Sequence, residues 1–275
     1  MNKTINLRKD ITVFTSALYQ TNSVVMRGAE AVFVIDPCWL PQEIEAIKEH
    51  VGQIRGERKL YLIFTHSDYD HIIGYGAFPG AKVIASQAFA NKQNKAPDVD
   101  QAKTWDDEHY ISRPYKIEYP HTDIVIDRDG KALHFDGTVL TFYFAPGHTA
   151  EGMYIIWEPA GLFVAGDYLS DVEFPFIEDG IENYRHTMNK VDRILNAHQI
   201  RWMVPGHGSV AYDIDDIKDR RDASLEYIGD LIAHKNGSDF LSDKYASRYE
   251  YWEGLRTIHE QQVKTNTQDQ DDSER

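Results

Sequence analysis

The run His66-Ser67-Asp68-Tyr69-Asp70-His71 puts two imidazoles and two carboxylates within six residues. Both groups hold divalent metal ions, through a ring nitrogen or a carboxylate oxygen. Residues two apart share a side in an extended segment, so His66, Asp68 and Asp70 are expected to line one side, with His71 turned elsewhere as the chain bends. Three further metal-capable side chains stand beside glycines, which let backbone and ion approach closely. They occur in Pro146-Gly147-His148, Gly166-Asp167 and Pro205-Gly206-His207-Gly208. Two ions held by such a set polarise water for attack on a carbonyl or phosphoryl centre. Asp70, within this run, is the candidate group to shuttle a proton.

The elements that must position these groups alternate in kind. Residues 11–15, 23–26 and 31–35 are rich in Val, Ile and Phe and read as strands separated by turn residues. Residues 41–55 carry Ile44, Ile47, Val51 and Ile54 at helical spacing. Residues 60–64 are continuously apolar, the pattern of a strand buried on both faces, and they end just before His66. The grammar returns with strands at 139–144, 153–157 and 161–165, a helix at 181–198 and a strand at 200–204. Each later candidate ligand thus follows a strand end, where open α/β sheets gather their ligand-binding residues. Two β-rich blocks, each closed by helices, imply an α/β sandwich.

The complete set resembles the metallo-β-lactamase superfamily, whose pattern is His-x-His-x-Asp-His, a distant His, a bridging Asp and a last His. Here the third His comes 77 positions after His71, the Asp 19 later and the final His 40 further on. These separations are close to those of glyoxalase II-like and lactonase-like members, and the likeness spans residues 11–210. It implies a four-layer αββα sandwich of two mixed sheets with outer helices, and two divalent metal ions. Carried over by position, His66, Asp68 and His148 would hold the first ion and Asp70, His71 and His207 the second, with Asp167 bridging both. Asp36 is similar to a family aspartate that supports the site from behind, and it equally suits a turn cap before Pro37.

Asp68 is the departure, since most members place His there and the flavodiiron proteins place Glu. Three ionised aspartates against two divalent ions leave one positive charge, which a bridging hydroxide cancels. Water bound there is expected to ionise less readily than at strongly activating zinc sites. Zinc is the metal the family implies, while an oxygen ligand at position 68 favours iron or manganese. The resemblance implies a hydrolase of a small ester, lactone, thioester or phosphoester. The alternative is a di-iron redox protein similar to the metal domain of the flavodiiron proteins, served by a separate electron donor.

Around this core, residues 87–119 are polar and carry Trp105, His109, Tyr110 and Tyr115, the composition of a lid-like, substrate-contacting insertion. Trp105 and Tyr110 there, with Tyr69 and Tyr168 beside the ligands, are the candidate substrate contacts; the last two serve equally well as packing residues. His109, His121, His134 and His186 could approach the site, whereas His50, His198, His234 and His259 read as surface residues. Cys38 reads as a small buried residue. The domain is expected over residues 1–263, helical from 213 onward, with a disordered polar tail at 264–275.

The 275 residues are 42% hydrophobic and 27% charged, ordinary for a globular enzyme. A net charge of −15 disfavours nucleic acid, whose affinity rests on Lys and Arg. One cysteine, no signal-peptide run and no apolar stretch near the ~20 residues of a membrane span point to a cytoplasmic protein with a small-molecule substrate. Its oligomeric state is not legible.

Overall fold

Alternation of apolar side chains across two sheet faces builds the molecule. In the computed structural model, which describes residues 3–233 and 239–273, twelve strands form two sheets. The first contains β1 (Lys3–Arg8), β2 (Ile11–Thr15), β3 (Asn22–Arg27), β4 (Ala31–Ile35), β5 (Lys59–Ile63), β6 (Lys82–Ser86) and β7 (Ile124–Ile126), in that spatial order. Its first four strands are antiparallel neighbours, and β4 to β7 run parallel. The second contains β8 (Lys131–Phe135), β9 (Thr138–Phe144), β10 (Met153–Glu158), β11 (Leu162–Val164) and β12 (Trp202–Val204), with only β11 and β12 parallel.

Phe33 and Ile35 of β4 face the second sheet, as do Ile155 and Trp157 of β10 the first. Val32 and Val34, and Tyr154 and Ile156, point outward beneath helices. Strands covered on both sides read as continuous apolar runs, and each fully buried Val, Ile or Phe contributes about 1.5–3 kcal/mol. α1 (Pro41–Arg55) lays Ile44, Ile47 and Val51 on the outer face of the first sheet, with Pro41 in its opening turn and Glu43 accepting from the Leu40 N–H at 3.0 Å. α2 (Tyr69–Ile72), α3 (Gln87–Asn91) and α4 (Ala96–Glu108) lie on the same side. α5 (Ile181–Ala197) and α6 (Ile214–Ala233) cover the second sheet. The four-layer sandwich of two mixed sheets is therefore the architecture.

α7 (Asp239–Ala246) and α8 (Trp252–Ser273) complete the chain and pack Tyr245, Tyr249, Trp252 and Leu255 against Phe174 and Tyr227. α8 runs through residues 264–273, where sequence composition suggests disorder. A helix nucleated by its packed first half propagates through Gln, Lys and Asp at little cost per residue. Residues 274–275 of that expected tail lie outside the described residues. No helix among the described residues is long and apolar enough to cross a membrane.

Candidate metal centre

The seven motif residues converge where the C-terminal ends of β5, β9, β11 and β12 meet. Parallel pairing sets the register: Val164 lies opposite Val204, so Asp167 and His207, each three residues on, stand side by side. Ile35 pairs with Ile63, which brings Asp36 to the segment carrying Thr65 and His66. Asn22 ties the two sheets together, its amide donating to the Pro205 and Gly208 carbonyls at 3.0 and 2.9 Å. Gly206 has to be glycine, because a Cβ there would lie 2.0 Å from Asp167 Oδ1.

Two groups of ligand atoms result, each within 4.8 Å internally: His66, Asp68, His148 and Asp167, and next to them Asp70, His71 and His207. Asp167 touches both, with Oδ2 3.3 Å from His148 Nε2 and 3.2 Å from His207 Nε2, and Oδ1 3.0 Å from His71 Nε2. The division does not follow the alternation expected of an extended segment. Asp68 is extended at ψ 145°, but Tyr69–Ile72 is a helical turn. That turn swings Asp70 away from Asp68 and groups it with its neighbour His71.

Each histidine spends Nδ1 on the protein and turns Nε2 to the centre. Nδ1 of His148 and His207 donates to the Phe176 and Tyr19 carbonyls, both at 2.9 Å. Asp36 serves the other two: its Oδ2 lies 3.1 Å from His71 Nδ1, and it accepts from the Thr65 hydroxyl at 2.6 Å, which in turn faces His66 Nδ1 at 2.9 Å. Such partners fix the tautomer and the ring direction of metal-binding imidazoles. Asp36 holds φ at +46°, a conformation costing about 1–3 kcal/mol for a non-glycine residue, which the Thr65 and His71 contacts offset.

His66 Nε2, His71 Nε2 and Asp167 Oδ1 are buried with no hydrogen bond, although His71 and Asp167 approach closely. Buried unpaired polar atoms are costly, and a cluster of them facing one point fits coordination to an ion. The electrostatics agree. Burial opposes charge on His71 and His148, but Asp167, with Asp70 for the first and Asp68 for the second, holds both well above the ordinary histidine range. Burial likewise opposes charge on Asp167, yet the surrounding imidazoles hold it well below the usual carboxylate range.

The sequence model of the metallo-beta-lactamase superfamily matches residues 17–231. The chain belongs to the metallo-β-lactamase superfamily. Among solved structures, a stereoselective inverting sec-alkylsulfatase from Pseudomonas sp. is similar with a TM-score of 0.64 at 12% identity, over 86% of this chain and 43% of that one. A metallo-beta-lactamase from Pontibacter korlensis gives 0.59 at 15% identity over 83% and 99% of the two chains. A metallo-beta-lactamase family protein from Thermus thermophilus gives 0.56 at 19% over 82% and 79%. At such identities the likeness is one of fold, and the chain spans less than half of the sulfatase.

This superfamily member carries a cavity of about 1050 Å³ over the centre, lined by Asp68, Asp70, His148, Asp167 and His207. Of the three aspartates at the centre Asp68 is the most open, 25% exposed against 8% for Asp70 and Asp167. Of the expected substrate contacts only Tyr69 lines the cavity. Tyr168 is buried: its hydroxyl accepts from the His148 N–H and donates to the Ala145 carbonyl, both at 2.7 Å, so it positions the His148 loop. Trp105 packs on Trp39 at 4.2 Å between ring centres and under His109, while Tyr110 is 96% exposed. Both leave the cavity because segment 87–119 folds into α3 and α4 on the outer face of the sheet, and only Gln101 of it reaches the cavity wall.

That segment instead braces the loop of residues 66–71 from behind. Lys92 Nζ reaches the Ser67 hydroxyl at 2.7 Å, Asp98 at 2.9 Å and Glu151 at 3.0 Å. His109, His121, His134 and His186 are exposed away from the cavity, and Cys38 is buried beside the Ser23 hydroxyl. His50 and His198 are half-buried, and His234 lies outside the described residues. His259 is not a surface residue: it follows Trp252 and Leu255 at helical spacing, and its Nδ1 meets the Tyr227 hydroxyl at 2.9 Å in the buried C-terminal cluster. Sequence reasoning missed Glu173, a cavity residue 3.8 Å from His207 Nδ1 whose carboxyl is pushed up to about 7, by burial first and then by Asp167 and Asp70. It also missed the wall that α8 supplies; neither carries a local motif.

Proposed function

We propose that this chain is a metal-dependent hydrolase working at a two-ion centre. His66, Asp68 and His148 would hold one ion, Asp70, His71 and His207 the other, and Asp167 would be shared. The observation that carries the reading is the convergence of four Nε2 atoms on three aspartates, with buried atoms among them that no protein partner satisfies. Ions bound there supply Lewis acidity and a polarised water. The protein's own part is to aim the imidazoles through Asp36, Thr65, Phe176 and Tyr19, and to place Asp70 at the cavity floor, where it can move a proton. The solved neighbours named for sulfate-ester and β-lactam chemistry support hydrolysis as the reaction class, with the ester, lactone, thioester or phosphoester left for assay. The oxygen donor at Asp68 supports iron or manganese beside zinc as the resident metal.

The test is metal content per chain, without added metal, alongside an ester, lactone and phosphodiester panel, for wild type and Asp167→Ala. The variant is expected to lose metal from both groups and at least 10³-fold in turnover, about 4 kcal/mol of barrier. Full metal content and turnover in Asp167→Ala would remove the shared-ligand assignment. Iron-loaded protein that consumes oxygen with a reductant and hydrolyses nothing would favour the redox reading instead.

A further inference from the structure

The walls of the cavity above the metal centre are as informative as its floor. Among the described lining residues there is no lysine and no arginine. Acidic side chains stand there instead: Glu173 and Glu178 from the segment after β11, and Glu250 and Glu253 from the C-terminal helical region. Glu253 is matched by Arg256 at 2.7 Å, but neither Glu178 nor Glu250 pairs with a cation among the described residues. Between them runs an apolar face of Phe176, Trp252, Leu255 and Ile258. Half of that chemistry comes from α8, which lies beyond the residues matched by the superfamily model.

These features discriminate by charge. A site built for a phosphate, a sulfate or a carboxylate-bearing substrate places Arg or Lys forks where the anion sits. Here an anion would meet the carboxylates of Glu178 and Glu250, both exposed at the cavity wall, and like charges at such a wall repel most at low salt. At the floor, Asp68, Asp70 and Asp167 already oppose three of the four charges of two divalent ions, so the centre offers an anion little net attraction. An uncharged chain loses nothing to these walls and gains by covering Phe176 and Ile258.

Resting on the hydrolase reading above, we infer that the substrate is an uncharged carboxylic ester, open or cyclic, whose aliphatic acyl chain lies along Phe176, Trp252, Leu255 and Ile258. In the reaction water adds its oxygen to the acyl carbon and the bond to the alcohol oxygen breaks. The alcohol leaves with one proton of that water, and the acid product gives up the other to solvent. That product is a carboxylate at neutral pH, so the walls that exclude anionic substrates also help to expel it.

The test separates this inference from the reading it rests on by using binding as well as turnover. The metal-loaded full chain is titrated at low salt with N-butylhexanamide and with the mono-N-butylamide of adipic acid, which differs by a terminal carboxylate. Affinity is read by calorimetry and tryptophan fluorescence. The uncharged amide is expected to bind at least tenfold more tightly, and the gap to shrink at least threefold in E178Q/E250Q and in high salt. The matching p-nitrophenyl hexanoate and p-nitrophenyl adipate monoester are expected to show the same preference in kcat/KM. Selective binding with no turnover of either ester, nor of any lactone, thioester or phosphodiester, would overturn the hydrolase reading, whereas selective binding with turnover of a phosphodiester alone would overturn the ester assignment. Equal or tighter binding of the anionic amide, no binding of the uncharged one, or a gap unmoved in E178Q/E250Q would overturn the inference itself.

Discussion

Asp68 is the most exposed of the three aspartates that converge at the centre, 25% against 8% for Asp70 and Asp167. Its Oδ2 lies 3.1 Å from His148 Nε2. Asp68→Ala is expected to empty the first group selectively, because Asp70, His71 and His207 remain. Asp68→His is expected to raise the zinc share and to shift the acidic limb of the pH–rate profile downward, since a more positive centre ionises its water more easily. Metal content per chain and that profile check both; unchanged occupancy in Asp68→Ala would remove Asp68 as a ligand. The protons on the imidazoles give a second measurement. Burial opposes the charge on His207, but Glu173 and Asp167 raise it to about 10. His71 and His148 are held well above the ordinary range for the same kind of reason. In metal-free protein these rings therefore hold a proton more tightly than a free histidine, and an ion has to displace it. Metal affinity is expected to climb with pH above the ordinary histidine range, and binding to release protons, read by calorimetry in two buffers of different ionisation enthalpy.

α3 and α4 look from composition like parts of a lid, yet their side chains are spent on support. Lys92 neutralises Glu151 and Asp98 behind Ser67, and Trp105 props Trp39, which meets Tyr69 edge-on at 5.5 Å. Lys92→Ala leaves two largely buried carboxylates unpaired. Because Lys92 is itself 28% exposed, the loss of stability is expected near the bottom of the buried-pair range, roughly 2–3 kcal/mol. Trp105→Ala is expected to cost about 2–3 kcal/mol through lost packing. Both are expected to weaken metal retention more than they change KM, and Tyr110→Ala to change neither. Thermal unfolding and metal retention on dialysis check this; a KM change in Trp105→Ala with metal retention intact would restore the lid reading.

Across the whole molecule the centre lies where the two sheets meet, beside their shared apolar core and the Asn22 contacts. That core is large enough to hold the fold without metal, so chelation is expected to lower stability and leave the fold in place. An ion present at 1,000 times its Kd contributes about 4 kcal/mol to the folded state. At roughly 2–4 °C per kcal/mol, Tm is expected to fall by about 8–16 °C on chelation, with one cooperative transition before and after. Loss of far-ultraviolet circular dichroism at 25 °C on chelation would show that the ions are needed for folding itself.

The side chains that converge at the centre and the strands that lead to them are legible in the sequence, because a strand buried on both faces reads as an apolar run and its polar end stands out. β4 and α1 fall where Val, Phe and Ile runs and helical spacing put them. β1, β7 and β8 are not legible, being edge strands or very short ones whose half-exposed faces dilute the apolar pattern. The helical turn at Tyr69–Ile72, which overrides the two-residue alternation and gives the grouping that the family resemblance implies, was decided only in three dimensions. So were the bracing by Lys92, the tether of Tyr168 to the His148 loop, and the acidic and apolar walls of the cavity. Each depends on residues far apart in the chain meeting side by side, and no local pattern records such a meeting.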